Sequence, residues 1–371
     1  MKQSVINFCK KEIVLVVATI LAILSAFIVP PSAEYINYID WHVLGVLLSL
    51  MIVMVGLQKN GLFDALGEAL LIKTKKAWQL AAVLVFLCFF LSMAITNDVA
   101  LITFVPFAVV TLEKSGLQRL LIPVIALQTI AANLGSMLTP IGNPQNLYLY
   151  NLSGMDIGEF VWVMLPYTVL SGIMLVIGLL FLRGKQEEVV AVEKKAQKIN
   201  GVKTSIYLGL FLLAFMVVLK LLPYEIVLIT VILVVLFMER GVLKEVDYSL
   251  LLTFISFFFF TGNMGNVPAI KQGLQQLVEG REVLVGVLSS QVISNVPAAL
   301  LLSGFSSDYE ALLIGVNIGG LGTLIASMAS LISYKILAKQ YDDMKGKYFL
   351  WFTLWNVLFL AVLLLASFLL R

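Results

Sequence analysis

The sequence predicts an all-α polytopic membrane protein built from two inverted-topology repeats, each with a re-entrant hairpin and a broken transmembrane helix. Three observations predict it. The 371 residues are 60% hydrophobic and only 13% charged, with a mean hydropathy of +1.00, whereas soluble domains carry about 25% charged residues. Polar words interrupt long apolar runs at Thr96-Asn97-Asp98 and again at Ser294-Asn295-Val296-Pro297. Two further runs are broken by small and polar residues, at Asn133–Pro144 and at Asn317–Thr323. A carboxylate or carboxamide in such surroundings is costly unless it faces protein, water or an ion.

In chain order, Glu12–Val29 is the first span, stopped by Pro30-Pro31, and Trp41–Leu57 is the second. Gly61–Ile72 places Leu62, Phe63, Leu66, Ala69 and Leu70 on one face and Asp64 and Glu68 on another, the pattern of a helix lying in the membrane interface. The first hairpin is expected around residues 77–112, with Thr96-Asn97-Asp98 at its tip. The first broken helix follows over 118–151, because Gly135, Pro140, Gly142 and Pro144 cannot continue an ordinary helix. Phe160–Leu182 is a clean span and closes a first repeat over 1–182.

Residues 183–222 hold a hydrophilic linker and a connecting span, Ser205–Leu222. The second repeat, 223–371, begins with spans Ile226–Met238 and Ser249–Thr261 and a second interfacial helix, Pro268–Glu279. A hairpin around 283–306, a broken helix over 309–340 and a last span, Tyr348–Leu370, complete it. The halves align word by word: Asn97 with Asn295, Ala100 with Ala298, and Asn133–Thr139 with Asn317–Thr323. Counting one crossing per broken helix, this gives about nine crossings plus two hairpins.

Charge sets the orientation. Val283–Ile293 would reach about 16 Å, about half a bilayer, so the interrupted segments are expected to turn back rather than cross. With hairpins in both halves, all of the 25 basic residues except Lys220, Lys271, Arg281 and Arg371 fall on the inner side. The N-terminus is then cytoplasmic and the C-terminus outside, in a prokaryotic inner or plasma membrane.

The same features exclude other classes. No nucleic-acid partner is needed for a net charge of +3 spread over short loops, and Cys9, Cys88 and His42 make neither a metal cluster nor a catalytic triad. A cleavable signal peptide is not evident, and no GxxxxGK[ST] word exists for an ATP-driven pump. An enzyme is not expected. At each tip, half-helices leave N–H groups suited to an anion and C=O groups suited to Na⁺. Asn97, Asn133, Asn143, Asn295 and Asn317 can donate to a substrate oxygen or coordinate a cation. Thr96, Ser136, Thr139, Ser294 and Thr323 add hydroxyls, and Val296 and Pro297 complete the second tip. Gly135, Gly142, Gly319, Gly320 and Gly322 let backbone approach a ligand. Ser327, Ala329 and Ser330 read as small residues for helix packing. Asp98, whose counterpart is Val296, can bind Na⁺, carry a proton, or cap a helix Val99–Leu112. Asn97, Asp98 and Asn295 are the candidate sodium ligands. No other cofactor is expected.

These words resemble the ion transporter superfamily of arsenite permeases, sodium/proton antiporters, citrate transporter-like proteins and divalent anion/sodium symporters. Thr96–Ala100 resembles the acidic form of its first-hairpin motif, Ser294–Pro297 the second, and 133–144 and 317–323 its two helix breaks. The resemblance covers nearly the whole chain. It implies a substrate and sodium site formed by both tips and both breaks, and a transport domain moving against a homodimeric scaffold. Dicarboxylate symporters of this kind carry a Ser-Asn-Thr word in both hairpins, and Asp98 and Val296 depart from it. The expectation is a secondary transporter in the lipid bilayer for a small anion, driven by Na⁺ or H⁺. The alternative is an arsenite/antimonite exporter or sodium/proton antiporter on the same fold.

Overall fold

The computed structural model describes residues 12–72, 74–182 and 199–370. Most of the expected linker, the first eleven residues, Lys73 and Arg371 lie outside the described residues, and with them the expectation for the N-terminus. Among the described residues the ordered elements are helices. The first half comprises α1 (Ile13–Ile28), α2 (Tyr35–Tyr38), α3 (Trp41–Lys59), α4 (Leu62–Leu71), α5 (Ala77–Ile95), α6 (Asn97–Lys114), α7 (Leu121–Ser136), α8 (Pro144–Ser153) and α9 (Ile157–Leu180). The second comprises α10 (Gly201–Val218), α11 (Tyr224–Glu239), α12 (Tyr248–Gly265), α13 (Pro268–Val278), α14 (Glu282–Ile293), α15 (Asn295–Ser303), α16 (Tyr309–Gly319), α17 (Met328–Gln340) and α18 (Lys345–Leu370).

Seven of the described helices are long and apolar enough to cross a membrane, beginning with α3 and including α5 and α7. Of the nine expected crossings three fall short, because α1 and α11 have only 16 residues each, about 24 Å, and the second broken helix is cut into 11- and 13-residue pieces. The seventh helix is α5, an arm of the expected first hairpin. The α5 helix has 19 residues, about 28 Å, so length alone would let it cross. Its sequel α6 nevertheless packs back against it, as α15 does against α14.

The core centres on α7. Nearly every residue of this helix is buried, which fits a sequence apolar on all sides. Helices α5, α6, α9 and α18 surround it. In the second half α14 and α15 pack on α16, and α17 crosses to lie against α6. The α3 helix packs against α10 and α11, and Lys59 pairs with Glu245 at 2.6 Å where α3 ends.

The segment between α1 and α3 is more ordered than its polar, Pro-containing sequence suggests. It forms α2, whose tyrosines meet polar residues at the end of α12 and just after it: Asn263 Nδ2 donates to Tyr35 Oη at 2.7 Å and to Ser25 Oγ at 2.9 Å, and Asn266 Nδ2 donates to Tyr38 Oη at 2.7 Å. The two helices expected at the interface both form. In α4, Phe63, Gly67 and Leu71 turn inward while Leu66 and Leu70 are exposed, and α13 buries only Val278.

Candidate functional site

The two polar tips have the same backbone. Thr96 joins α5 to α6 with φ 70° and ψ 150°, and Ser294 joins α14 to α15 with φ 73° and ψ 155°. Few non-glycine residues adopt positive φ, and this combination is nearly confined to glycine elsewhere. What holds it is tertiary. The Asn97 N–H donates to Gly142 O at 3.2 Å, and the Asn295 N–H donates to Ala326 O at 2.9 Å. Each tip is thus pinned to a helix break.

The correspondence extends to side chains. Asn97 Oδ1 accepts from the Asp98 N–H at 2.9 Å, as Asn295 Oδ1 does from the Val296 N–H at 3.0 Å. Thr139 Oγ1 donates to Met93 O, and Thr323 Oγ1 donates to Gln291 O at 3.1 Å. Gly135 faces Phe89 O, where an added Cβ would come within 1.9 Å, and Gly319 faces Ser290 Oγ at 2.7 Å. Both glycines therefore have a packing task, the close approach of the broken helix to the first arm of its hairpin. Gly142 lies over Ser136 O, 2.0 Å from an added Cβ. Gly320 sits beside the Asn295 amide, 2.9 Å from such a Cβ.

The breaks meet each other. Asn133 Oδ1 accepts from Asn97 Nδ2 at 3.0 Å and from Ser327 Oγ at 3.0 Å, while Asn133 Nδ2 reaches Ser330 Oγ at 3.4 Å. Asn317 Nδ2 donates to Asn146 Oδ1 at 2.7 Å. The structure thereby brings together Asn97, Asn133, Asn295 and Asn317, each no more than 5% exposed. Ser136, Asn143, Ser294, Val296, Pro297 and Gly322 are also buried, Thr96, Asp98 and Thr139 are half-buried, and Thr323 is exposed.

Ser327 and Ser330 are more than the packing residues their sequence suggests, because both bond to the Asn133 amide. Asn146 and Gln291 were not legible as site residues at all. Asn146 Nδ2 donates to Ser136 O and Thr139 O, both at 3.1 Å. Gln291 Nε2 donates to Gly319 O and Leu321 O, both at 2.9 Å. The one available signal was proximity: Asn146 lies three residues after Asn143, in the first turn of α8.

Asp98 does not cap a helix that starts at Val99. The helix begins at Asn97, and Asp98 lies in its first turn. Its carboxylate has no hydrogen-bond or ion-pair partner among the described residues, and its sign complements the dipole of α6. Among the described residues no basic side chain bonds to any of these tip or break residues. Among the described residues, the buried polar groups left without a partner include three at or beside the breaks: Asn143 Oδ1, Asn317 Oδ1 and both ends of the Gln145 amide. Such atoms cost free energy unless a ligand or water meets them. Two of them are carbonyl-type oxygens on break residues, which can accept from a hydroxyl or N–H donor, while the spare N–H groups of Gln145 can serve an oxygen. The Asn97 amide oxygen accepts from the Asp98 N–H and keeps a second lone pair, whereas that of Asn295 accepts from the Val296 N–H and, at 3.4 Å, from Ser294 Oγ. Of the candidate sodium ligands, Asn97 and Asp98 therefore have the freer oxygens. Among the described residues no group of three His, Cys, Asp or Glu could hold a metal ion.

An open cleft of about 450 Å³ lies elsewhere, between the end of α8 and the start of α16. Ser153, Glu159, Ser307, Asp308 and Glu310 line it.

Comparison with known proteins follows the same lines. An uncharacterized transporter of Methanocaldococcus jannaschii is 33% identical over 315 residues, 82% of this chain and 83% of its own. The inner membrane protein YbiR of Escherichia coli is 33% identical over 327 residues, 84% of each chain. A silicon efflux transporter of Oryza sativa is 30% identical over 128 residues, 34% of this chain and 26% of its own. Residues 5–306 match the family described as citrate transporter. With its apolar helices, its paired polar tips, relatives named as transporters and a family match over most of its length, the chain is an integral membrane protein of the citrate transporter family.

Proposed function

We propose that the chain is a secondary-active transporter of a small anion, a carboxylate or another oxyanion, coupled to Na⁺ or H⁺. Its site lies at the midplane between the two hairpin tips and is exposed alternately to either side. The observation that carries this reading is the convergence of four interruptions, two tips and two breaks, through Asn97–Asn133, Asn133–Ser327, Asn317–Asn146 and the Asn295–Ala326 backbone bond. Four helix interruptions in contact concentrate backbone N–H and C=O groups that lie outside a regular helical ladder.

The paired geometry also supports the inverted repeat. Residues 97 and 295 differ by the same 198 positions as 93 and 291, and residues 142 and 326 by the same 184 as 139 and 323. Two re-entrant hairpins and nine crossings, with each broken helix counted once, put the C-terminus outside and the loop after α6 inside. One feature favours a second reading, export of a small oxyacid. Among the described residues no lysine or arginine bonds within the site, and the partial relative from rice is named for silicon efflux. Amides alone favour a weakly charged or neutral solute over a dianion.

Uptake and efflux of a panel of carboxylates and oxyanions in proteoliposomes, with imposed Na⁺ or pH gradients, tests this. Asn97→Ala and Asn295→Ala are each expected to abolish flux while the protein still folds. Normal flux in either mutant contradicts a site shared by both tips.

A further inference from the structure

A helix that breaks inside a membrane ends its first half in carbonyls that have lost their intrahelical partners and carry the negative end of the dipole. In discontinuous helices such carbonyls commonly cradle a sodium ion. Here they are already taken. In the first break Asn146 Nδ2 donates to Ser136 O and Thr139 O at 3.1 Å, with Met137 O at 3.4 Å. In the second, Gln291 Nε2 donates to Gly319 O and Leu321 O at 2.9 Å, while its Oε1 accepts from the Thr323 N–H at 2.9 Å. Gly322 makes room for that amide: its φ is +102°, and a Cβ there would lie 2.3 Å from Gln291 Oε1.

The two amides are not related by the repeat. The counterpart of Gln291 is Met93, and the counterpart of Asn146 is Ser330. One amide comes from the hairpin arm α14 and the other from the half-helix α8, yet both meet the carbonyls that follow the first half-helix. Two unrelated side chains meeting one electrostatic need points to the need itself. An –NH₂ group offers two donors and no net charge, which is what two or three bare carbonyls require when no cation is to be held.

We infer that Asn146 and Gln291 are positioning residues that fill the break carbonyls in place of a cation, so that neither break is a sodium site in this protein. Resting on the transporter reading above, this confines any sodium of the transport cycle to the tips, at Asn97, Asp98 and Asn295. It also makes the shape of both breaks independent of ion binding.

The test is thermal unfolding of the purified full-length protein, titrated with sodium chloride against choline chloride. Gln291→Glu and Asn146→Asp each exchange a donor for a carboxylate facing the same carbonyls, which creates the cation cradle that the amide excludes. Both variants are expected to melt lower than wild type in choline and to gain a sodium-dependent rise on the order of a few degrees beyond the wild-type response. Gln291→Ala is expected to melt lower without gaining as much. A sodium response in wild type that is lost in Gln291→Ala or Asn146→Ala overturns the assignment, since the amides would then belong to a sodium site. An unchanged response in every variant overturns it as well. Should the carboxylate variants not fold, Asp98→Asn decides: a wild-type sodium response that persists there contradicts confinement to the tips, and its loss supports it. No step uses transport, so failure here and failure of the transporter reading are separate outcomes.

Discussion

Asp98 is the one charged side chain at either tip, and its surroundings distinguish its possible tasks. It sits half-buried in the first turn of α6 with no partner for its carboxylate among the described residues. Its helix start is already served by Asn97 Oδ1, so capping is not what the carboxylate supplies. Asp98→Asn keeps size and removes charge. The loss of a favourable charge–dipole contact costs about 0.3–1 kcal/mol, and the protein should fold. If the carboxylate carries the coupling proton, flux driven by a pH gradient fails in this mutant while exchange survives. If it ligates sodium, sodium dependence weakens instead. Proteoliposome flux under each gradient separates the two, and wild-type flux under both removes Asp98 from the ion pathway.

At the scale of elements, the helix breaks are held by contact rather than by local propensity. Gly135→Ala would drive a methyl into Phe89 O, and the overlap at 1.9 Å leaves no room for a side-chain adjustment. A destabilisation of about 1–3 kcal/mol or more is expected, read as a lower melting temperature with loss of flux. Gly154→Ala, at a turn with open space but φ +74°, should cost about 1 kcal/mol from backbone strain alone. Both tips and both breaks were legible in the sequence because Asn, Asp, Gly and Pro stand out inside apolar runs. Asn146, Gln291, Ser327 and Ser330 were not, because a polar residue on a helix looks alike whether it faces water or a neighbour. The partners of Gln291 lie 28 to 32 positions away, beyond any local pattern. Interfacial placement of α4 and α13 rests on their amphipathic sequence. The order within α2 was hidden because its tyrosines are held by asparagines 228 positions away.

For the whole molecule, the sidedness of the loops is the sharpest test of the repeat. Single cysteines at Lys114, in the last turn of α6, should react with a membrane-impermeant maleimide only from the cytoplasmic side. Cysteines at Ser153 and Ser307, which line one cleft, should react together from outside. Labelling of Lys114→Cys from outside would mean that α5 crosses alone, and the two halves would no longer be inverted copies.

The pairing of α1 with α12 bears on how the chain is made. Helix α1 finds its main packing surface on α12, through Asn263 to Ser25 and the α2 tyrosines. Synthesis of the 237 residues from Ile28 to Gly265 at about 5–20 residues per second occupies about 12–50 s. Throughout that interval the nascent α1 has lipid or insertion machinery as its neighbour. Ser25 and Tyr35 can already donate to Ala22 O and Val29 O, but the amide donors of Asn263 and Asn266 that their oxygens and that of Tyr38 accept from do not yet exist. A ribosome stalled within α11 should therefore leave the α1–α2 region open to protease, and one stalled after α13 has emerged should leave it protected.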